Sequence, residues 1–350
     1  MYSNRIYQND LEEIINVELP FNNFEGKNIL VTGGNGLIGS YLTDSLIYLR
    51  ENKNIKLNLY VLCRTKEKAE KRFKEHLKKD YFKLIIQDVC DDYNFNIKFD
   101  YIIHTACNAH PLAYSTDPVG VINSNIVGTQ KLLEYCRKYG NERFLFLSSS
   151  EVYGEANIDE GYKEDSYGRI DPMNVRSCYS ESKRMAETIG VAYLKQYNIN
   201  FLSVRPGHIY GATITEDNSR ADAQFLRNVL KKEDIIMKSD GSQIRSYCYV
   251  VDCITGILTV LLKGRIGEAY NIGNTLESIT IREYAETLAK LGGVKLRFEF
   301  PEDVEKKGYT LKKNSVLNCE KLKSLAWENK YNIKVGVEEV LNILLRGTGY

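Results

Sequence analysis

Tyr179 and Lys183 stand four residues apart in Tyr179-Ser-Glu-Ser-Lys183, so a helix through them would place a phenol and an ammonium on one face. A phenol titrating near ~10 is a poor acid or base at neutrality, and a fixed cation beside it favours the phenolate and lowers that barrier. The pair is a candidate acid/base couple. Upstream, the apolar run Phe144-Leu-Phe-Leu147 opens into Ser148-Ser149-Ser150-Glu151-Val152-Tyr153-Gly154, which gathers hydroxyls and a carboxyl at the end of what reads as a strand.

A second constellation has the chemistry of binding. Residues 29–40 read Ile-Leu-Val-Thr-Gly-Gly-Asn-Gly-Leu-Ile-Gly-Ser, an apolar stretch broken by glycines and resumed with helical spacing. Gly34-x-Gly36-x-x-Gly39 satisfies the dinucleotide fingerprint. Gly33 and Gly34 would allow the tight turn, Gly36 would let the backbone approach a pyrophosphate, and Gly39 would let the helix pack closely on the strand. The helix entered through Leu37 and Ile38 would turn its positive end to the phosphates, and Lys183 would hold the nicotinamide ribose. An acidic residue at the end of the second strand selects NAD, but here the chain reads Val61-Leu-Cys-Arg-Thr-Lys66. Cys63 cannot serve as that carboxylate, whereas Arg64 and Lys66 suit a 2′-phosphate, so NADP(H) is expected in preference to NAD(H).

These residues need elements to position them. Strand patterns fall at 28–31, 58–63, 83–88, 101–105, 144–148 and 201–205, with helical patterns over about 37–52, 66–78, 120–139 and 178–197. The alternation predicts an α/β fold, a Rossmann-type doubly wound parallel sheet that binds ligands at the carboxyl ends of its strands. Past residue 205 the rhythm loosens, with helices expected at 223–232, 281–291, 320–325 and 337–345. This predicts a smaller C-terminal substrate-binding lobe made of 208–244 and 276–350. Residues 1–207 and 245–275 would form the dinucleotide lobe, with 1–26 as an extension whose helix, over 11–17, caps the sheet edge.

A chain of 350 residues with 43% hydrophobic content can bury a full core, and its net charge of +1 argues against an extended nucleic-acid or anionic-membrane surface. No apolar run is long enough to span a bilayer and the first residues lack a signal-peptide core, so a cytoplasmic protein is expected. The eight cysteines include no Cys-x-x-Cys pair, and His76, His104, His110 and His208 have no metal-ligand spacing, so no structural metal is expected.

In order along residues 27–345, these motifs resemble the extended short-chain dehydrogenases/reductases of the NAD-dependent epimerase/dehydratase family, Rossmann-fold enzymes acting on nucleotide-activated sugars, usually as dimers. The resemblance implies that Ser149 hydrogen-bonds the reacting sugar oxygen, Tyr179 is the acid/base and Lys183 its activator. It also implies that Asp88 and Val89 contact the adenine, and that Thr105 and Ala106, in His104-Thr-Ala-Cys-Asn108, lie under the pyrophosphate. Asn125 opens Asn125-Ile-Val-Gly-Thr129, which resembles the family's Asn-Val-x-Gly-Thr helix start. Arg205-Pro-Gly-His-Ile-Tyr-Gly211 resembles Arg-x-x-Asn-x-Tyr-Gly, with His208 replacing an Asn that contacts substrate; His208 is placed against both cofactor and substrate. Arg245 would grip a nucleotide diphosphate. Ser150 and Gln224 complete the candidate substrate contacts.

Two readings of the reaction follow. Arg64, Lys66 and His208 favour an NADP(H)-dependent oxidoreductase that reduces a keto group of a nucleotide sugar, such as a CDP- or UDP-ketose, to an alditol. Glu151 favours an NAD-retaining 4-epimerase, 4,6-dehydratase or UDP-glucuronate decarboxylase, because such family members carry a Glu at this position that handles a ring proton or hydroxyl after C4 oxidation. A non-catalytic nucleotide-binding regulator fits less well with intact Ser149, Tyr179 and Lys183. The implied partners are a nucleotide-sugar substrate and a second copy of the chain.

Overall fold

The computed structural model describes residues 1–156, 160–299 and 313–346. Six strands come first, β1 (Asn28–Thr32), β2 (Asn58–Cys63), β3 (Phe82–Ile86), β4 (Tyr101–His104), β5 (Arg143–Leu147) and β6 (Phe201–Pro206), and all but β3, where only Phe82 is buried, are rich in buried aliphatic and aromatic residues. After them come the short strands β7 (His208–Tyr210), β8 (Ile235–Met237), β9 (Ile244–Arg245) and β10 (Tyr247–Tyr249), then β11 (Ala269–Ile272). The main sheet runs β11-β6-β5-β4-β1-β2-β3 and every pairing in it is parallel. Alternate residues feed opposite cores: Ile29 and Val31 face one, Leu30 the other.

Helices α1 (Arg5–Ile15), α2 (Leu37–Lys53), α3 (Lys66–Arg72), α4 (Pro111–Thr116), α5 (Pro118–Tyr139), α6 (Ser177–Tyr197), α7 (Ala221–Leu230), α8 (Val250–Lys263) and α9 (Ile281–Gly292) cover the sheet and build the second lobe. The Asp117 side chain caps α5 by accepting from the Gly120 amide at 3.1 Å, and Pro118 fits the first turn, where no amide is needed. α5 packs on α6 over one sheet face, while α2 and α8 pack together on the other. The second lobe stacks α7 on α9 and adds the strands β12 (Ile279–Thr280), β13 (Leu296–Phe298) and β14 (Asn314–Ser315), paired as β12-β9-β14 and β13-β8. Residues 300–312 and 347–350 of the expected lobe lie outside the described residues.

Three expectations change. The first helix begins earlier, at Arg5, because Asn4 Oδ1 accepts from the Ile6 and Tyr7 amides at 2.9 and 3.2 Å. It packs on α2 and α8 rather than on a sheet edge, and the edges are β3 and β11. Tyr7 donates to buried Asp44 at 2.7 Å, while Tyr41 and Tyr249 donate to buried Asp10 at 3.0 and 2.5 Å. Helix α3 stops at Arg72, well short of residue 78, since Phe73 turns fully into the core and His76 Nε2 reaches Asp44 at 3.2 Å. The last helix, starting after the short α10 (Glu320–Lys323), is longer than expected: α11 spans Ile333–Arg346. Between them Trp327 is buried, its Nε1 donating to Thr255 Oγ1 at 3.0 Å and the Asp252 carbonyl at 3.2 Å on α8.

Candidate active site

The strand order reverses between β1 and β4, which leaves a crevice at the carboxyl ends of the sheet. A cleft of about 1110 Å³ occupies it, with Gly33, Arg64, Arg245 and Gln224 among its lining residues. A smaller groove of about 640 Å³ near the β6–β11 edge is lined by groups such as Arg205 and Glu187, which already pair with each other at 2.6 Å.

At one end the chain turns from β1 into α2. Gly33 has φ +68°, and a Cβ there would meet the Ala106 backbone at 2.7 Å; one on Gly39 would meet the Gly33 carbonyl at 2.3 Å. Gly36 differs. A Cβ there would meet nothing nearer than the Gly33 carbonyl at 3.4 Å, so the only thing it would fill is the cradle facing the cleft. No side chain caps α2, which leaves its first amides open to a phosphate. Leu37, Ile38, Thr105, Ala106, Asp88 and Val89 line the same wall. These features fit a bound dinucleotide.

Two of the expected cofactor contacts do not line the cleft. Asn125 is buried between helices, donating to Ser182 Oγ at 2.9 Å, and so fastens α5 to α6. Lys66 starts α3 and faces Glu70 at 3.9 Å in solvent. Arg64 does line the cleft but has Asp88 at 4.0 Å, so the expected Arg64–Lys66 clamp for a 2′-phosphate is not assembled. Lys68 stands at the cleft instead and pairs across it with Asp217 at 2.9 Å. The segment carrying Asp217 is held at two further points: Thr213 donates to the Leu37 carbonyl at 2.7 Å, and Ser219 Oγ accepts from the Leu112 amide at 3.0 Å.

The acid/base residues meet near the middle of the cleft. Helix α6 presents Tyr179 and Lys183 on one face, both nearly buried, with the ammonium 5.8 Å from the Tyr179 ring centroid. Lys183 also donates to the Leu147 carbonyl at 2.6 Å. Ser149 follows β5, accepts from the Glu151 amide at 3.2 Å and stands close enough to the Tyr179 phenol to favour its ionised form. Burial pushes the Tyr179 pKa well above the usual phenol range and Cys107 adds to it, while Ser149 and, less strongly, Arg220 pull it down. Burial lowers the Lys183 ammonium, opposed by Cys107 and Glu187. Burial and the Lys183 charge hold His104, directly behind, at about 3, so its imidazole is neutral.

Beyond Tyr179 lie Ser150, Glu151, His208, Gln224 and Arg245, all on the cleft wall as expected. His208 on β7 packs its ring against Tyr247 at 5.7 Å. Glu151 is near enough to act on both Tyr179 and Arg245. Sequence reasoning missed Arg220, whose Nη2 donates to the Ile209 carbonyl at 3.1 Å and faces Asp222 at 3.6 Å. It also missed Tyr114, which stacks on Tyr179 at 5.0 Å with 20° between the rings, and Arg176, whose guanidinium lies over Tyr114. The spacing of Arg176, three residues before Tyr179, was a usable signal. Among the described residues no His/Cys/Asp/Glu group is arranged to hold a metal ion, and no helix is long and apolar enough to cross a membrane.

The geometry is that of a nucleotide-sugar short-chain dehydrogenase/reductase, and comparison with known proteins agrees. Residues 29–273 match the NAD dependent epimerase/dehydratase family, and the chain belongs to it. It is 33% identical over 313 residues to UDP-glucuronic acid decarboxylase 6 of Arabidopsis thaliana, covering 88% of this chain and 86% of that one. It is 30% identical over 325 residues to UDP-glucuronic acid decarboxylase 1 of Danio rerio, covering 91% and 73%. A UDP-glucuronic acid 4-epimerase from Bacillus cereus, solved with UDP-glucuronic acid and NAD, shares the fold with a TM-score of 0.75 at 23% identity, over 91% of this chain and 99% of that one.

Proposed function

We propose that the chain is an NAD-retaining nucleotide-sugar lyase that decarboxylates a UDP-linked uronic acid. The observation that carries this reading is Glu151, which stands in the cleft within electrostatic reach of both Tyr179 and Arg245. The curated relatives that are UDP-glucuronic acid decarboxylases support it, and net reduction with NADP(H) loses its motive once Lys66 turns away and Arg64 faces Asp88. The glycine turn from Gly33 to Gly39 and the open start of α2 would hold NAD, which would supply the hydride acceptor and donor for C4 of the sugar. Tyr179 removes the C4 hydroxyl proton while Ser149 holds the same oxygen. A C4 carbonyl lies β to the C6 carboxylate, so the C5–C6 bond breaks, CO₂ leaves and the electron pair moves toward the C4 oxygen, where Ser149 and Tyr179 stabilise it. C5 then gains a proton, a transfer for which Glu151 is the nearby carboxyl group. A homodimer in solution belongs to the same reading.

The test is to incubate purified enzyme with UDP-glucuronate and follow CO₂, a UDP-pentose by mass spectrometry, and nicotinamide absorbance. Product without net nicotinamide change is expected, and Glu151→Gln should slow UDP-pentose formation about 10²–10⁴-fold. Stoichiometric NADPH consumption on a keto sugar, with no CO₂ from UDP-glucuronate, would overturn the proposal.

A further inference from the structure

Most cations of the cleft already have partners. Arg64 faces Asp88, Lys68 pairs with Asp217, Arg72 with Asp44, Arg220 with Asp222, and Lys183 donates to Leu147. Arg176 differs from these. It is half-buried on the cleft wall at the start of α6, and among the described residues its guanidinium makes no ion pair with an Asp or Glu. Its backbone amide is the donor that bonds Asn174 Oδ1, at 3.0 Å. The guanidinium carbon sits 5.8 Å from the Tyr114 ring centroid, and Tyr114 stacks on Tyr179, which fixes the charge beside the reacting centre. Arg245, deeper in the wall, feels Arg176 as a like charge. Two guanidiniums on the wall of one cleft, near enough for one to feel the other's charge, favour an anionic ligand there, and a uronic acid carries one negative group more than a neutral hexose on the same diphosphate.

We infer that Arg176 is the specificity-determining residue for the acidic sugar, its planar fork taking the carboxylate of a nucleotide-linked uronic acid against the Tyr114–Tyr179 stack. The inference rests on the decarboxylase reading and sharpens it. Arg245 is left for the diphosphate.

The experiment measures binding of UDP-glucuronate, UDP-glucose and UDP by calorimetry, using cofactor-loaded full-length protein in a Tyr179→Phe background to prevent turnover. Arg176→Gln should weaken UDP-glucuronate about 10- to 100-fold, with UDP-glucose and UDP changed less than about twofold, and Arg176→Lys should restore part of the loss. Equal losses for all three ligands, or an unchanged preference for UDP-glucuronate, would sink the inference and leave the decarboxylase reading standing. A parent protein with no preference for UDP-glucuronate over UDP-glucose would remove that reading first, and the inference with it.

Discussion

The ammonium of Lys183 donates to the Leu147 carbonyl at 2.6 Å, so the cation that faces Tyr179 also fastens α6 to the end of β5. Lys183→Met should therefore do two things. Turnover should fall about 10²–10⁴-fold with the loss of acid/base support. Stability should fall about 1–3 kcal/mol, because a buried carbonyl loses its donor. Tyr179→Phe should match the first effect and leave the melting temperature nearly unchanged. Melting curves and single-turnover rates on the two variants separate the roles.

Gly36 and Gly39 sit three residues apart but should fail differently. Ala at 39 drives a methyl into the Gly33 carbonyl, and the expected cost is about 1–3 kcal/mol of folding stability. Ala at 36 meets only ordinary contact with the protein and fills the phosphate cradle, so Gly36→Ala should melt like the parent and purify without nicotinamide. Acid extraction of bound cofactor, with a melting curve beside it, checks both outcomes.

Lys68 of α3 and Asp217, in the segment before α7, meet across the cofactor end of the cleft. Both are largely exposed, so their attraction is modest and sensitive to salt. Asp217→Lys should speed cofactor release about two- to fivefold in dilute buffer, the difference should shrink at high salt, and the swap Lys68→Asp with Asp217→Lys should restore the slow rate. Stopped-flow displacement of a fluorescent nicotinamide provides the readout.

Asp10 gives a pH signature. Burial raises its carboxyl from 3.8 to about 7, although Tyr249 and Tyr41 donate to it and pull the other way. The folded protein keeps this proton to about pH 7, whereas the unfolded chain releases it near 3.8, so the contribution is fully present at acid pH and is lost as pH rises through that window. Relative to Asp10→Asn, the parent should lose melting temperature steadily between about pH 4 and pH 7 and run parallel above it. Paired thermal melts across the range test the sign.

The glycine turn and the Ser149, Tyr179 and Lys183 set were legible in the sequence because each is a short local pattern whose chemistry fixes its spacing. The strands β1, β4 and β5 were legible for a related reason: unbroken buried runs leave no ambiguity of period. What escaped was set by distant partners. Lys66 and Lys68 are indistinguishable in a lysine-rich run until Asp217, far along the chain, claims one and Glu70 the other. The expected length of α3 failed for the same cause, since Phe73 and His76 are drawn out of the helix by the core and by Asp44. The strands of the second lobe are two or three residues long, too short to show a period.

Trp327 is the only tryptophan in the chain, and it lies between α10 and α11, hydrogen-bonded to α8 away from the cleft wall. The molecule thereby carries a built-in optical gauge of one junction. Its emission should report when the tail detaches from the sheet-bound helix in denaturant, while the tyrosines spread through the core report the collapse of the whole.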